Sequence, residues 1–260
     1  MVTEWRPCGL LGGKPASAYA VLLLNQPLNK NAMDAVISGA AMLVCADAGA
    51  DRLYKYDSEI SNGLKTRLPD AIVGDLDSLT KEVAEHYSRK GVKIIRDPDQ
   101  MSTDFTKCLK WINDAWTNDI NNREKELDVV VLGGLGGRVD QGFSQIHHLY
   151  MAANNEKLLS GRIYLLSEQS LTFVLSEGAN VVLIEPDFFE ENVGIIPVLG
   201  RTNITTDGLE WDVQDWPTEF GGQLSTSNHI RSDRVEISFT GPMPLFTLEL
   251  ASRFAAVYPR

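Results

Sequence analysis

The sequence predicts a mostly parallel α/β domain over residues 1–158, followed by an antiparallel β-domain, a sandwich or barrel, over 159–260. Three observations carry that reading. From residue 18 to about 155, short aliphatic runs alternate with amphipathic stretches of helical length, as in βαβ units. After roughly residue 160 the texture changes to short alternating runs broken by Glu177-Gly178, Asp207-Gly208, Gly221-Gly222 and Gly241-Pro242. At 260 residues and 43% hydrophobic content, the chain can bury one large core or two smaller ones.

The first-half strands are 18–24, 42–45, 71–73, 92–95 and 128–132, each rich in Val, Ile or Leu. Helices are predicted near 31–39, 49–56, 80–90, 103–118 and 139–153. Thr80 and Ser102 stand before acidic first turns and read as helix starts. The polar stretch 118–127 reads as a surface loop. In the second half the strands are 162–166, 171–175, 180–184, 194–199, 235–239 and 246–250, and the domain boundary falls within 155–162.

The composition excludes several classes. With 24 Lys+Arg against 35 Asp+Glu the net charge is −11, and the pI near 4.8 argues against a nucleic-acid partner. The longest apolar run, Ala18 to Leu24, is far shorter than the ~20 residues that cross a bilayer, and the start lacks a basic n-region. Cys8, Cys45 and Cys108 are odd in number and far apart, which suggests neither a disulfide framework nor a zinc site. A soluble, cytoplasmic protein without a membrane partner is the expectation.

In an open parallel sheet, ligands bind beyond the carboxyl ends of the strands. Four successive strands deliver aspartates to that rim: Asp47 and Asp51 after 42–45, Asp75 and Asp77 after 71–73, Asp97, Asp99 and Asp104 after 92–95, and Asp140 after 128–132. Crowded carboxylates repel one another unless a cation sits among them, and oxygen-only ligands suit Mg²⁺ with a phosphate-bearing substrate. Asp51, Asp97 and Asp99 read better as turn or cap residues, whereas the Asp75/Asp77 pair reads as a ligand pair. Gly133 to Gly137 has four glycines in five residues between a strand and a helix, a shape that cradles phosphate, but it matches neither the dinucleotide fingerprint nor Walker A spacing. Arg138 beside it is read as a phosphate partner; Lys107, one turn after Asp104, either binds phosphate or forms an i,i+3 pair. Trp211 and Trp216 either stack on a ring or fill a core. His147 and His148 read as core and surface residues, and the run Leu224 to His229 reads first as a turn.

In chain order, these residues resemble the thiamine pyrophosphokinase family, eukaryotic type. The similar blocks are Val21 to Pro27, Cys45 to Tyr54, Gly74 to Ser78, Pro98 to Gln100 with Thr103 to Leu109, Leu132 to Gln141, Thr205 to Trp211 and Leu224 to Asn228. The resemblance implies an antiparallel β-sandwich as the second domain, binding thiamine, with ATP and Mg²⁺ held by the first. It implies transfer of the pyrophosphoryl group of ATP to thiamine, giving thiamine diphosphate and AMP, by a homodimer with active sites at the subunit interface. Carried over residue by residue, Asp47, Asp75, Asp77 and Asp104 are catalytic, with Asp75, Asp77 and Asp104 as metal ligands. Gln100, Thr103, Lys107, Gly134, Gly137, Arg138, Asp140 and Gln141 would contact ATP, and Ser225, Ser227, Asn228 and Trp211 would contact thiamine. Relatives commonly have Gly where Ala48 stands and Trp where Phe246 stands.

Two other enzyme classes and one binding class fit parts of the pattern. A strand followed by Asp-x-Asp also describes the nucleophile of aspartyl-phosphate phosphatases. Here, however, the pair follows two earlier βα units, and Leu79 occupies a position where that motif prefers Thr or Val. A sugar-nucleotide transferase fits less well. A thiamine or nucleotide sensor without catalysis would not need the full aspartate set.

Overall fold

The structure, a computed structural model, describes residues 2–59, 67–122 and 125–256. The chain begins with a strand, β1 (Val2–Trp5), and a one-turn helix, α1 (Cys8–Leu11). These belong to a compact unit formed by residues 1–16 and 169–260; residues 17–168 form the other.

The unit 17–168 alternates β2 (Tyr19–Leu23), α2 (Lys30–Ser38), β3 (Met42–Ala46), α3 (Gly49–Glu59), β4 (Ala71–Gly74), α4 (Lys81–Arg89), β5 (Lys93–Arg96), α5 (Asp104–Thr117), β6 (Asp128–Leu132), α6 (Val139–Ala153) and β7 (Ile163–Leu166). Its strands run in the order β7-β6-β2-β3-β4-β5, all parallel. Every residue of β2, β4, β6 and β7 is buried, which explains their unbroken aliphatic runs: helices cover both faces, so no polar alternation is required. From β2 the chain steps outward through β3, β4 and β5 and then returns to β6 on the other side. The switch in direction at β2 opens a crevice at the carboxyl ends of these strands. Beyond α5, the expected loop continues in turns to Asn122, and Arg123 and Glu124 lie outside the described residues.

The run 162–166, expected in the second domain, is instead β7, paired parallel to β6 from Val129↔Ile163 to Leu132↔Leu166. Its sequence is continuously apolar rather than alternating, the pattern of a strand covered on both faces. The division between units therefore falls at 168/169 rather than 158/159. The first sixteen residues also leave the α/β unit, because β1 pairs parallel with β9 (Ala179–Leu183) and Trp5 is buried there.

The other unit contains β8 (Ser170–Val174), β9, β10 (Phe189–Ile196), β11 (Thr202–Asp207), β12 (Trp216–Thr218), β13 (Ser225–His229), β14 (Arg234–Thr240) and β15 (Leu245–Leu250). Two sheets result, β1-β9-β14-β11-β12 and β13-β10-β15-β8, antiparallel apart from the β1–β9 pair. Trp5 stacks on Phe173 with ring centroids 4.4 Å apart, and Phe173 meets Phe246 at 5.6 Å, so aromatic residues form much of this core. Trp5 Nε1–H donates to Asn180 Oδ1 at 2.9 Å, which satisfies two buried polar groups together. Among the described residues, no helix is long and apolar enough to cross a membrane.

Candidate active site

The carboxyl ends of β3 and β4 set the aspartates against one another. Asp47 follows β3 directly with φ 43°, and Leu76, between Asp75 and Asp77, has φ 64°, both in the left-handed region. These sparsely populated conformations turn the chain sharply enough to bring neighbouring carboxylates together. One carboxylate oxygen from each of Asp47, Asp75 and Asp77 lies within 4.8 Å of the others. Gly74 permits this convergence: a Cβ there would stand 3.0 Å from Asp47 Cβ and 3.1 Å from Asp104 Oδ1.

Hydrogen bonds partly compensate the crowded charges. Asp47 Oδ2 accepts from Ser78 N–H, Asp75 Oδ1 from Asp77 N–H, and Asp104 Oδ1 from Asp75 N–H, each at 3.2 Å. Asp47 Oδ1 is buried and has no partner. Burial, opposed by the Ser78 N–H and reinforced by the charges of Asp104, Asp75 and Asp77, pushes the Asp47 carboxyl up to about 6. Asp75 is held below its ordinary value, first by the Asp77 N–H and then by the Lys107 charge. Three convergent hard-oxygen donors, one of them buried and unpartnered, fit a divalent cation of the Mg²⁺ type. The set differs from the Asp75, Asp77 and Asp104 expected from the sequence. Asp104 stands outside it and receives instead the Asp75 N–H and the Lys107 ammonium.

Helix α5 supplies the cationic side. Thr103 is its N-cap, its hydroxyl accepting from Thr106 N–H at 3.2 Å, so Asp104 and Lys107 project from the first turn. Lys107 is buried, with its ammonium 3.2 Å from Asp104 Oδ1 and 3.9 Å from Asp75 Oδ2. Both alternatives for this lysine are therefore compatible with one position: it forms the i,i+3 pair and also lines the cavity. Gln100 reaches Asp75 Oδ2 at 3.4 Å. Asp97 and Asp99 bind N–H or hydroxyl groups two or three residues on, as turn residues do, whereas Asp51 reaches the N–H and hydroxyl of Thr80 at the start of α4.

These walls enclose a cavity of about 520 Å³. Of the expected residues, Asp47, Asp75, Asp104, Thr103, Lys107, Arg138 and Gln141 line it; Asp77, Gln100, Gly134, Gly137 and Asp140 do not. Arg138 is exposed and grips Asp140 through two hydrogen bonds, Nε to Oδ1 at 3.0 Å and a terminal nitrogen to Oδ2 at 2.5 Å. Gly137, at φ 68°, lies against the side chain of Gln26: a Cβ there would meet Gln26 Oε1 at 2.9 Å. Gln26 thus braces the glycine loop, a role the sequence reading did not assign. Ser144, Gln145 and His148 also line the cavity. With Gln141 they occur at i, i+3, i+4 and i+7 on α6, so helical spacing from Gln141 could have found them.

The four residues expected to contact thiamine lie in the other unit and divide between two hollows. Ser225, Asn228 and Trp211 line one of about 200 Å³ that Trp216 also lines, whereas Ser227 lines another of about 380 Å³. The cause is local: pairing between β10 and β13 shifts register near Ser227, which takes φ 54°. Asn228 is spent on the backbone. Its Oδ1 accepts from Trp211 N–H and His229 N–H, and its Nδ2 donates to Trp211 C=O at 3.0 Å. The Trp211 ring is more than half exposed and tilts against His229 at 4.9 Å.

Comparison with known proteins gives consistent matches. The family description "Thiamin pyrophosphokinase, catalytic domain" matches residues 33–159, and "Thiamin pyrophosphokinase, vitamin B1 binding domain" matches 180–243. Thiamine pyrophosphokinase 3 of Oryza sativa subsp. japonica is 35% identical, over 88% of this chain and 85% of its own. Among solved structures, thiamin pyrophosphokinase from Candida albicans superposes with a TM-score of 0.82 at 25% identity, covering 96% of this chain and 93% of its own. The yeast enzyme superposes at 0.84 and 26%, covering 95% and 91%.

Proposed function

Because the chain belongs to the thiamin pyrophosphokinase family, we propose that it transfers the pyrophosphoryl group of ATP to the hydroxyethyl oxygen of thiamine, giving thiamine diphosphate and AMP. The observation that carries this reading at the atomic level is the convergence of Asp47, Asp75 and Asp77 at the rim of a cavity that Asp47, Asp75 and the buried Lys107 line. Such a transfer needs in-line positioning and neutralised phosphate charge more than covalent help from side chains.

Asp47, Asp75 and Asp77 would hold Mg²⁺, which when bound neutralises polyphosphate charge and orients its oxygens. Lys107 offers an ammonium already desolvated by burial and fixed by Asp104, so it can meet a phosphate oxygen without losing much side-chain freedom. Thr103 and Gln141 supply neutral donors from the starts of α5 and α6. Arg138, exposed and held by Asp140, can turn its remaining N–H groups toward the nucleotide. Trp211 and Ser225 share a hollow whose aromatic wall suits the flat rings of thiamine, and Asn228 holds Trp211 in place through its backbone. We assign the working form to a cytoplasmic homodimer with active sites at the subunit interface.

The direct test is incubation of the purified protein with MgATP and thiamine, resolving nucleotides and thiamine species. AMP and thiamine diphosphate should form in equal amounts. ADP as the nucleotide product, or phosphate release without a phosphorylated thiamine, would sink the assignment.

A further inference from the structure

Under the floor of the cavity, three side chains share fewer hydrogen-bonding sites than they have claims on. His148 is buried and stacked on Phe105, with ring centroids 4.4 Å apart. Its Nδ1 lies 2.6 Å from the carbonyl oxygen of Ser144. A carbonyl only accepts, so Nδ1 carries the proton, and in the neutral ring favoured by burial Nε2 is left with one acceptor lone pair. Two hydroxyls reach that single site: Thr103 Oγ1 at 2.8 Å and Thr106 Oγ1 at 2.9 Å. The two hydroxyl oxygens are 3.2 Å apart, and Thr103 Oγ1 also accepts the capping N–H of Thr106.

Two ways of filling the single Nε2 site follow. In one, Thr103 donates to His148 and Thr106 can donate to Thr103. In the other, Thr106 donates to His148 and the Thr103 proton can turn to Thr106 Oγ1 or to an acceptor in the cavity. The surroundings of the two hydroxyls differ: Thr103 and His148 line the cavity, whereas Thr106 does not. The second arrangement therefore releases a donor into the cavity without orphaning a buried acceptor.

We propose that Thr106 is a positioning residue for nucleotide binding: by satisfying His148 Nε2, it frees the Thr103 hydroxyl to donate to an oxygen of the bound polyphosphate. This rests on the cavity being the MgATP site. Removing Thr106's hydroxyl makes Thr103 the only remaining donor to His148, so phosphate binding must break a buried hydrogen bond. Removing the histidine acceptor abolishes that conflict. Thr106→Val should thus weaken binding, and adding His148→Phe, which keeps a ring on Phe105, should restore it. A hydrogen bond to a charged group is worth roughly a factor of ten or more in affinity.

The experiment is a double-mutant cycle read by isothermal titration of MgATP without thiamine, with kcat measured in parallel. Thr106→Val should raise the Kd for MgATP about tenfold, and kcat at saturating ATP should stay within about twofold. Thr106→Ser, which retains the hydroxyl, should bind nearly as the parent does. His148→Phe should bind within about threefold of the parent, and the double variant should bind better than Thr106→Val alone. Additive effects, or an unchanged Kd in Thr106→Val, would overturn the positioning role. Should Thr106→Val not fold, Thr106→Ala and its His148→Phe double carry the same comparison. If the parent protein binds no MgATP, the nucleotide reading fails instead, and the positioning role fails with it.

Discussion

At the scale of single residues, Asp47 shows a conflict between stability and function. Its carboxyl is buried, faces three other aspartates, and is pushed up from 3.8 to about 6. A folded-state pKa above the unfolded one means that the folded protein binds more protons between those values. The folded state is thus relatively favoured below about pH 4, and the advantage is lost as pH rises through 6. Asp47→Asn should therefore be more stable than the parent at pH 8 in chelator, by on the order of 2–3 kcal/mol, and the gap should close toward pH 4. Mg²⁺ should stabilise the parent and not the variant, while turnover falls by orders of magnitude. Thermal melts at both pH values, with and without Mg²⁺, check all three outcomes. The sequence placed Asp47 with Asp75, Asp77 and Asp104 at the catalytic rim, but not which three of the four converge within 4.8 Å. That depends on φ values at Asp47 and Leu76, which no residue pattern announces.

Among the elements, α5 carries much of the site and α6 closes it. His148 joins them, its Nε2 accepting from one of two hydroxyls at the start of α5 and its Nδ1–H donating to the Ser144 carbonyl on α6. Burial lowers its pKa below the ordinary 6.5. A base depressed in the folded state contributes stability that is fully present above the unfolded value and is lost as pH falls through it. In denaturant titrations between pH 7.5 and 5 this contribution should fall away below about pH 6.5, against the opposite pull of Asp47, so it is read as the difference between parent and variant. His148→Gln, less stable at pH 7.5, should show a shallower loss, and identical slopes would refute this. Elements were legible where one physical signal dominated. The parallel strands β2, β3, β4 and β6 announced themselves as aliphatic runs, and Thr80 as a helix start, whereas the cap of α5 is Thr103, one residue after the expected Ser102. The strand β13, Ser-Thr-Ser-Asn-His, read as a turn, because its residues are turn formers and its place is fixed only by pairing with β10. β7 was seen as a strand but assigned to the wrong unit, since local sequence does not specify a pairing partner.

For the whole molecule, the net charge of −11 is unevenly divided. Residues 1–155 hold 17 Lys+Arg and 20 Asp+Glu, a balance of −3, whereas 156–260 hold 7 and 15, a balance of −8. Most of the surplus acidity thus lies outside the stretch that carries the aspartate triad and Lys107, leaving that stretch nearly balanced, as the proposed anionic nucleotide would require. The proposed homodimer has a simple check: light scattering at micromolar concentration should give about twice the 28.7 kDa chain mass, and a monomer mass at full activity would remove the subunit interface from the mechanism. The sequence by itself determined the class of each half, the aspartate rim, and the family, because strand periodicity, capping residues and ordered motifs are local properties. Only the tertiary structure decided that the first sixteen residues belong with the β-rich unit, that Asp47 completes the carboxylate triad, and that His148 faces the cavity. Those facts depend on strand pairing and helix docking between residues far apart in the chain, where burial and shared hydrogen bonds, not local propensity, select the arrangement.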